Sequence, residues 1–292
     1  MIKEFLGYLQ FERNYSPQTL ESYGRDLNEF EQYFKNLDGH LSWDTVDEDV
    51  IRDWMSSMMD RGNTARSVNR RLSALRSLFR FALSHGLVEK DPAHLITGPK
   101  VDKPLPYFLR EKDMDRLLDP RMWTDSYIDV LARTLIITFY ETGVRLSELT
   151  GLDDDDVNFV NSNIKVTGKR NKQRIIPFGK ELADTLHSYM ERRDKEITRL
   201  TDGLFLNRKG RRVSNPQVRK LVEDNLAKVT TMKKRSPHVL RHTFATAMLN
   251  HNAELESVSR LLGHASIATT EIYTHTTFEQ LKKEYQSAHP RA

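Results

Sequence analysis

Cysteine is absent from the 292 residues. That excludes disulfides, thiolate zinc sites and a cysteine nucleophile. Long apolar runs are absent too. None approaches the ~20 residues that span a bilayer, and Met1-Ile2-Lys3-Glu4-Phe5 lacks the charged-then-apolar order and small-residue cleavage site of a secretory leader. A cytoplasmic chain with no membrane contact is expected. Net charge is small: 45 Lys and Arg stand against 41 Asp and Glu, a formal +4, too mild by itself to mark a nucleic-acid binder. Hydrophobic residues at 38% and charged residues at 29% fit a folded chain rather than a disordered one, and the length suits two domains better than one core.

The charge is unevenly placed. No acidic residue occurs from Arg61 to Val88, a stretch that holds Arg61, Arg66, Arg70, Arg71, Arg76 and Arg80. Lys165, Lys169, Arg170, Lys172 and Arg174 form a second basic cluster, Arg208, Lys209, Arg211 and Arg212 a third, and Lys233, Lys234 and Arg235 a fourth. Any one of these would pass for a solvated face. Four together point to a polyanion, DNA or RNA.

Apolar spacing predicts four helices in the first part. Their stripes are Ile2, Phe5, Leu6 and Leu9; Leu20, Tyr23, Leu27, Phe30 and Phe34 behind a Ser16-Pro17 start; Val50, Ile51, Trp54 and Met58; and Val68, Leu72, Leu75, Phe79 and Ala82 behind a Thr64 cap. The arginines of the fourth helix lie mainly off its stripe. They are expected to face outward, with Arg66, Arg70, Arg71, Arg76 and Arg80 gripping phosphates. Three prolines and a glycine in Gly98-Pro99-Lys100-Val101-Asp102-Lys103-Pro104-Leu105-Pro106 read as a linker. The expected division is a helical domain over 1–88, a linker over 89–106 and a second domain over 107–292. In the latter, a helix from Tyr127 to Glu141 ends at Thr142-Gly143, a short helix follows through Ser147 to Leu149, and three short strands cover Val157–Phe159, Ile164–Val166 and Arg174–Phe178. Helices resume from Lys180.

Six residues stand out by type and setting. Arg145 lies where one helix ends and another begins, and its planar fork can bond two oxygens of one phosphate. His238 and Arg241 share a helical face after Pro237. Lys169 sits in a predicted hairpin turn. His264 follows a helix-ending Leu261-Leu262-Gly263, and Tyr273 comes nine residues later. Singly, each has an ordinary structural explanation. Together they make a phosphoryl-transfer site without metal. Arginines and imidazoles could stabilise the phosphorane charge, Tyr273 could attack, His238 could take its proton, and Lys169 could protonate the departing 5′ oxygen.

At these spacings Thr142-Gly143-Val144-Arg145-Leu146-Ser147-Glu148-Leu149, His238-x-x-Arg241, Leu261-Leu262-Gly263-His264 and Ile272-Tyr273-Thr274-His275 resemble the motifs of tyrosine recombinases, the phage integrase family. The tail Ala288-His289-Pro290-Arg291-Ala292 is similar to that of the Xer type in particular. The resemblance implies a mainly α fold with a small antiparallel β-sheet: a helical core-binding domain and an α+β catalytic domain forming a C-shaped clamp on double-stranded DNA. It implies that Arg145, Lys169, His238, Arg241 and His264 activate the phosphate, that Tyr273 is the nucleophile, and that Glu148 supports them. Arg170 and Lys172 of the hairpin join the DNA-contacting set. No cofactor and no metal are implied. Neither is any membrane partner.

The Xer type further implies a homo-tetramer, or a hetero-tetramer with a second Xer recombinase, on a dif-like site. Such an assembly passes through a 3′-phosphotyrosyl intermediate and a Holliday junction to resolve chromosome dimers, with the FtsK translocase as a candidate partner. The segment Phe278 to Tyr285 resembles the tail helix that docks on a neighbouring subunit. One departure lies at Asn250-His251-Asn252-Ala253-Glu254, where many relatives carry a glycine; asparagine tolerates the left-handed conformation, so the turn is expected to survive. Rival readings are an integrase of a mobile element, a type IB topoisomerase and a non-catalytic DNA-binding protein. A zinc enzyme using His238, His242 and His264 is disfavoured, because Val239 stands where the zinc-protease motif needs a glutamate and Arg241 would oppose a cation.

Overall fold

The computed structural model describes residues 1–102, 107–168, 171–263 and 278–292. The chain divides into two compact units, Met1–Pro104 and Leu105–Ala292.

The first unit is built from α1 (Ile2–Phe11), α2 (Pro17–Leu37), α3 (Glu48–Asp60) and α4 (Ala65–Ser84). Side-chain caps start three of them, as Ser16, Asp47 and Thr64 accept from the backbone N–H groups of Thr19, Val50 and Ser67. The expected stripes meet in one core, where Phe30 packs against Trp54 with ring centroids 4.7 Å apart and Phe5, Leu27, Val68 and Leu75 are sealed from solvent.

Arg71 and Arg76 of α4 correct the outward-facing expectation, and Arg70, though exposed, is held by its own unit. Arg70 pairs with the buried Asp26 of α2 and donates to Ser22 (2.6 Å). Arg71 is half-buried, donating to Asn63 (2.9 Å) and pairing with Glu29 (3.1 Å). Arg76 donates to the carbonyls of Ala93 (3.1 Å) and Ile96. The reason is that α4 is covered on more than one side. Residues 89–102, expected to serve as a linker, lay Ala93 and Ile96 into this unit's core, and Arg76 satisfies their carbonyls. Arg66, Arg70 and Arg80 are exposed.

In the second unit the central helix is α6 (Tyr127–Thr142), buried nearly all round. Around it lie α5 (Glu111–Leu118), α7 (Leu146–Gly151), α8 (Lys180–Glu196), α9 (Asn215–Leu226), α10 (Pro237–Asn250), α11 (Leu255–Leu262) and α12 (Phe278–Ala288). A three-stranded antiparallel sheet in the order β1 (Val157–Asn158), β2 (Asn163–Thr167), β3 (Gln173–Pro177) covers one side, with Val166 opposite Arg174 and Ile164 opposite Ile176. The fold is thus mainly helical with one small antiparallel sheet. No helix among the described residues is long and apolar enough to cross a membrane. Between α10 and α11 the turn keeps its form without glycine, since Asn252 takes φ +64°.

The tail packs on its own unit in the single chain. Tyr285, Ala288 and His289 are buried, His289 stacks on Tyr285 and donates to the Tyr140 carbonyl (3.1 Å), and Arg291 pairs with Asp115 (2.7 Å) and Glu181. Gly179 must be glycine for this closure, because a Cβ there would lie 2.1 Å from the Arg291 carbonyl.

Candidate active site

The site begins at the end of α6. Gly143 ends that helix in the left-handed conformation, φ +59°. A Cβ at Gly143 would also strike Phe244 at 2.5 Å and Leu262 at 2.9 Å, so both backbone and packing require glycine. The chain then turns into α7, and Arg145 is its N-cap residue. Glu148, one turn on, returns to cap it: Oε2 accepts from the Arg145 N–H (2.7 Å) and Oε1 from Arg145 Nη1 (2.8 Å). Arg145 Nη2 donates to the Gly263 carbonyl (2.8 Å).

Helix α10 opens with Pro237, which suits a first helical position. His238 and Arg241 follow on one face. Arg241 is buried and donates to the Gly143 carbonyl (2.5 Å) and the Leu262 carbonyl (2.7 Å). Burial, then the neighbouring Arg145, pull its guanidinium down to about 10. Arg145, His238 and Arg241 line one cavity of about 250 Å³, together with Ser236 and Arg219 of α9. Burial first, then His242 and Arg241, lower the pKa of His238. A neutral ring at neutral pH leaves one nitrogen free to accept a proton.

Arg174 was not among the candidates, yet it sits beside them. Its fork binds Glu148 through two bonds, Nη1 to Oε1 and Nη2 to Oε2, both 2.9 Å. Its Nε donates to the Leu261 carbonyl (2.7 Å). Burial raises the Glu148 carboxyl, but the bonds from Arg174 and Arg145 outweigh it and hold it at about 2. The sequence held a signal for Arg174: it shares the inward-facing register of β3 with the buried Ile176, two residues on. Arg219 was also passed over; one exposed arginine on a helix offers no comparable signal.

Lys169, Arg170, His264 and Tyr273 lie outside the described residues. Their chain neighbours do not. Gly168 stands against Glu148, where a Cβ would be 3.2 Å from Oε1, and Gly263 is the residue whose carbonyl Arg145 holds. Lys172 is described and exposed. Chemically, the cavity offers three guanidinium groups, those of Arg145, Arg219 and Arg241, and an imidazole around a space open to solvent, an arrangement suited to an anionic group.

The chain is similar to known proteins over its whole length. Residues 107–280 match the phage integrase family, and residues 2–86 match its N-terminal SAM-like domain. The chain is 37% identical to tyrosine recombinase XerC of Chlorobaculum tepidum, across 99% of this chain and 94% of that one. It is 36% identical to tyrosine recombinase XerD of Oceanobacillus iheyensis, across 100% and 98%. In fold it resembles the XerH site-specific recombinase bound to a palindromic difH substrate, with TM-score 0.73 and 24% identity over 97% of this chain and 83% of that one. The chain therefore belongs to the phage integrase family and is a tyrosine recombinase, an enzyme that cleaves and rejoins DNA at specific sites.

Proposed function

We propose that the chain is a Xer-type recombinase that resolves chromosome dimers at a dif-like site in the cytoplasm, with Tyr273 as its nucleophile. The observation that carries the site reading is the joint lining of one cavity by Arg145, His238 and Arg241. The biological reading is supported by full-length likeness to proteins named XerC and XerD.

In this reading the scissile phosphate enters the cavity with its non-bridging oxygens toward Arg145 and Arg241. The Tyr273 oxygen attacks phosphorus and its proton passes to His238. The bond from phosphorus to the 5′ oxygen breaks, and Lys169 supplies that oxygen's proton. His264 adds a donor to the phosphorane. The product is a 3′-phosphotyrosyl bond and a free 5′ hydroxyl. A 5′ hydroxyl from the partner duplex then attacks the phosphotyrosine, restoring a phosphodiester and freeing Tyr273. Two such exchanges pass through a Holliday junction. Every bond broken is replaced by one of like kind, so the cycle needs no cofactor and no metal. Arg66, Arg80, Arg170 and Lys172 are read as contacts to DNA phosphates. The working unit is a tetramer, of this chain alone or with a second Xer recombinase, with the FtsK translocase as a candidate activator.

The test is covalent trapping. A dif-like duplex nicked beside the scissile phosphate is mixed with the protein in chelator, denatured and run on a gel. A slow protein–DNA band that tolerates chelator and vanishes in Tyr273→Phe is expected. Clear binding without a band would count against the reading. Recombination confined to the ends of a mobile element, with none at dif-like sites, would replace the chromosomal role by an integrase role.

A further inference from the structure

Three arginines converge on the end of α11. The carbonyls of Leu261, Leu262 and Gly263 are successive, and each accepts from a different guanidinium: Arg174 (2.7 Å), Arg241 (2.7 Å) and Arg145 (2.8 Å). The last carbonyls of a helix have no partner within it and carry its negative partial charge. They therefore make a fixed dock for cations. Two of those cations, Arg145 and Arg241, also line the cavity; Arg174 is not among its lining residues.

Arg174 does something different. Its fork takes both oxygens of Glu148, the same two oxygens that take the Arg145 backbone N–H and side chain. With Arg174 in place, the carboxylate is held in one plane, and Oε1 faces Arg145 at a fixed point. Without it, Glu148 would be free to close on Arg145 as a private pair and to draw that cation's charge away from the cavity. Arg174 also packs under Gly263, where a Cβ would come within 3.1 Å of its Nη1, so it supports the turn that leads directly to His264.

We infer that Arg174 is a positioning residue for cleavage: it sets Arg145 through Glu148, and sets the turn on which Arg145 and Arg241 both dock. The inference rests on reading Arg145 and Arg241 as the phosphate clamp. A lysine cannot replace Arg174, because a single ammonium cannot hold both Glu148 oxygens and the Leu261 carbonyl in one plane.

The experiment uses the full chain and two nicked duplexes that differ only at the scissile group. One carries an ordinary phosphate, the other a methylphosphonate, in which a methyl group replaces one non-bridging oxygen, so that the group is neutral before attack and its phosphorane carries one negative charge fewer. Single-turnover formation of the covalent adduct is measured for the parent chain, Arg174→Gln, Arg174→Lys, Arg145→Ala and the Arg145→Ala, Arg174→Gln pair. With the ordinary phosphate, Arg174→Gln and Arg174→Lys are each expected to slow cleavage about 10²-fold, as for a catalytic group misplaced by about an ångström, with DNA affinity little changed. In the Arg145→Ala background Arg174→Gln is expected to cost clearly less than in the parent chain, since the route through Glu148 is gone and only the support of the Arg241 dock remains. On the methylphosphonate the loss from either Arg174 variant should shrink to a few-fold.

Each substrate is cut by the same preparation of a variant, so a fraction of unfolded protein cancels in the comparison. Equal losses on the two substrates would overturn the inference, as would full rescue by Arg174→Lys or independent, multiplying losses in the pair. If Arg145→Ala itself leaves phosphate cleavage unchanged, the clamp reading falls. If Arg145→Ala is crippled and Arg174→Gln is not, the inference about Arg174 falls alone.

Discussion

Arginines of the same sequence character have different surroundings in the two units. On α4 they meet carboxylates and carbonyls of their own unit: Arg70 and Arg71 with Asp26 and Glu29, Arg76 with the Ala93 and Ile96 carbonyls. Around the cavity, and among the described residues, Arg145 and Arg174 share the carboxylate of Glu148, and Arg241 bonds to the carbonyls of Gly143 and Leu262. The first set is largely neutralised and serves the fold. Among the described residues, the second keeps an excess of positive charge at a space open to solvent, as the proposed binding of a DNA phosphate requires. The number of arginines in a stretch therefore says less than the number of carboxylates within reach of each.

Removing a cavity arginine should produce the largest effect. Arg241→Ala or Arg145→Ala is expected to slow covalent cleavage about 10²–10³-fold, or roughly 3–4 kcal/mol of transition-state stabilisation, while DNA affinity measured by gel shift moves only a few-fold. Equal loss of binding and cleavage would blur the contrast between the two sets.

Asp26→Ala attacks the other set. It leaves Arg70 and Arg71 without their buried partner, so a stability loss of about 1–3 kcal/mol is expected in urea unfolding, with cleavage per folded molecule unchanged. A variant of normal stability would show that this pairing serves no structural purpose.

Titration separates the site from the tail. Glu148, held at about 2, contributes stability that is present above its ordinary value of 4.5 and is lost as pH falls toward 2. Glu141 is the reverse case. Burial raises it to about 8, although the Gly179 N–H and the Tyr285 hydroxyl both donate to its Oε2; its Oε1 is buried with no partner among the described residues. Its favourable share is therefore present below pH 4.5 and is lost as pH rises through about 8. His289, lowered to about 4 by burial, loses stability as pH falls from 6.5 through 4. Unfolding midpoints followed from pH 6 to 9 should decline less steeply in Glu141→Gln than in the parent chain. Parallel curves would mean that Glu141 is ionised throughout.

The smallest effect belongs to the arginines of α4 left free of their own fold. Arg66→Gln with Arg80→Gln should lower the slope of log affinity against log salt by about 2 at unchanged stability. Arg71→Gln or Arg76→Gln should instead lower stability. If the double variant keeps the parent's salt slope, these side chains do not touch DNA phosphates.

Much of this was legible before any coordinates. The stripes of α1 to α4 and the span of α6 follow from apolar periodicity. The turn after α10 follows from asparagine's tolerance of positive φ, which Asn252 adopts. His238 and Arg241 stand out because two imidazoles and a guanidinium on one helical turn make poor packing material, and Arg145 because a planar fork held at a helix junction suits a phosphate. What escaped were residues whose meaning depends on distant partners. Nothing local reveals that Arg71 and Arg76 turn inward, because Glu29 and Ala93 lie far along the chain. Arg174 needed the strand register and Glu148 together, and the amphipathic α5 carried too short a pattern to separate from the segment around it.

The most direct test of the central claim is to map the covalent bond. The trapped protein–DNA complex would be digested with nuclease and protease, and the modified peptide sequenced by mass spectrometry. The account predicts a nucleotide remnant on Tyr273, through its phenolic oxygen. A remnant on any other residue, with Tyr273 unmodified, would contradict it.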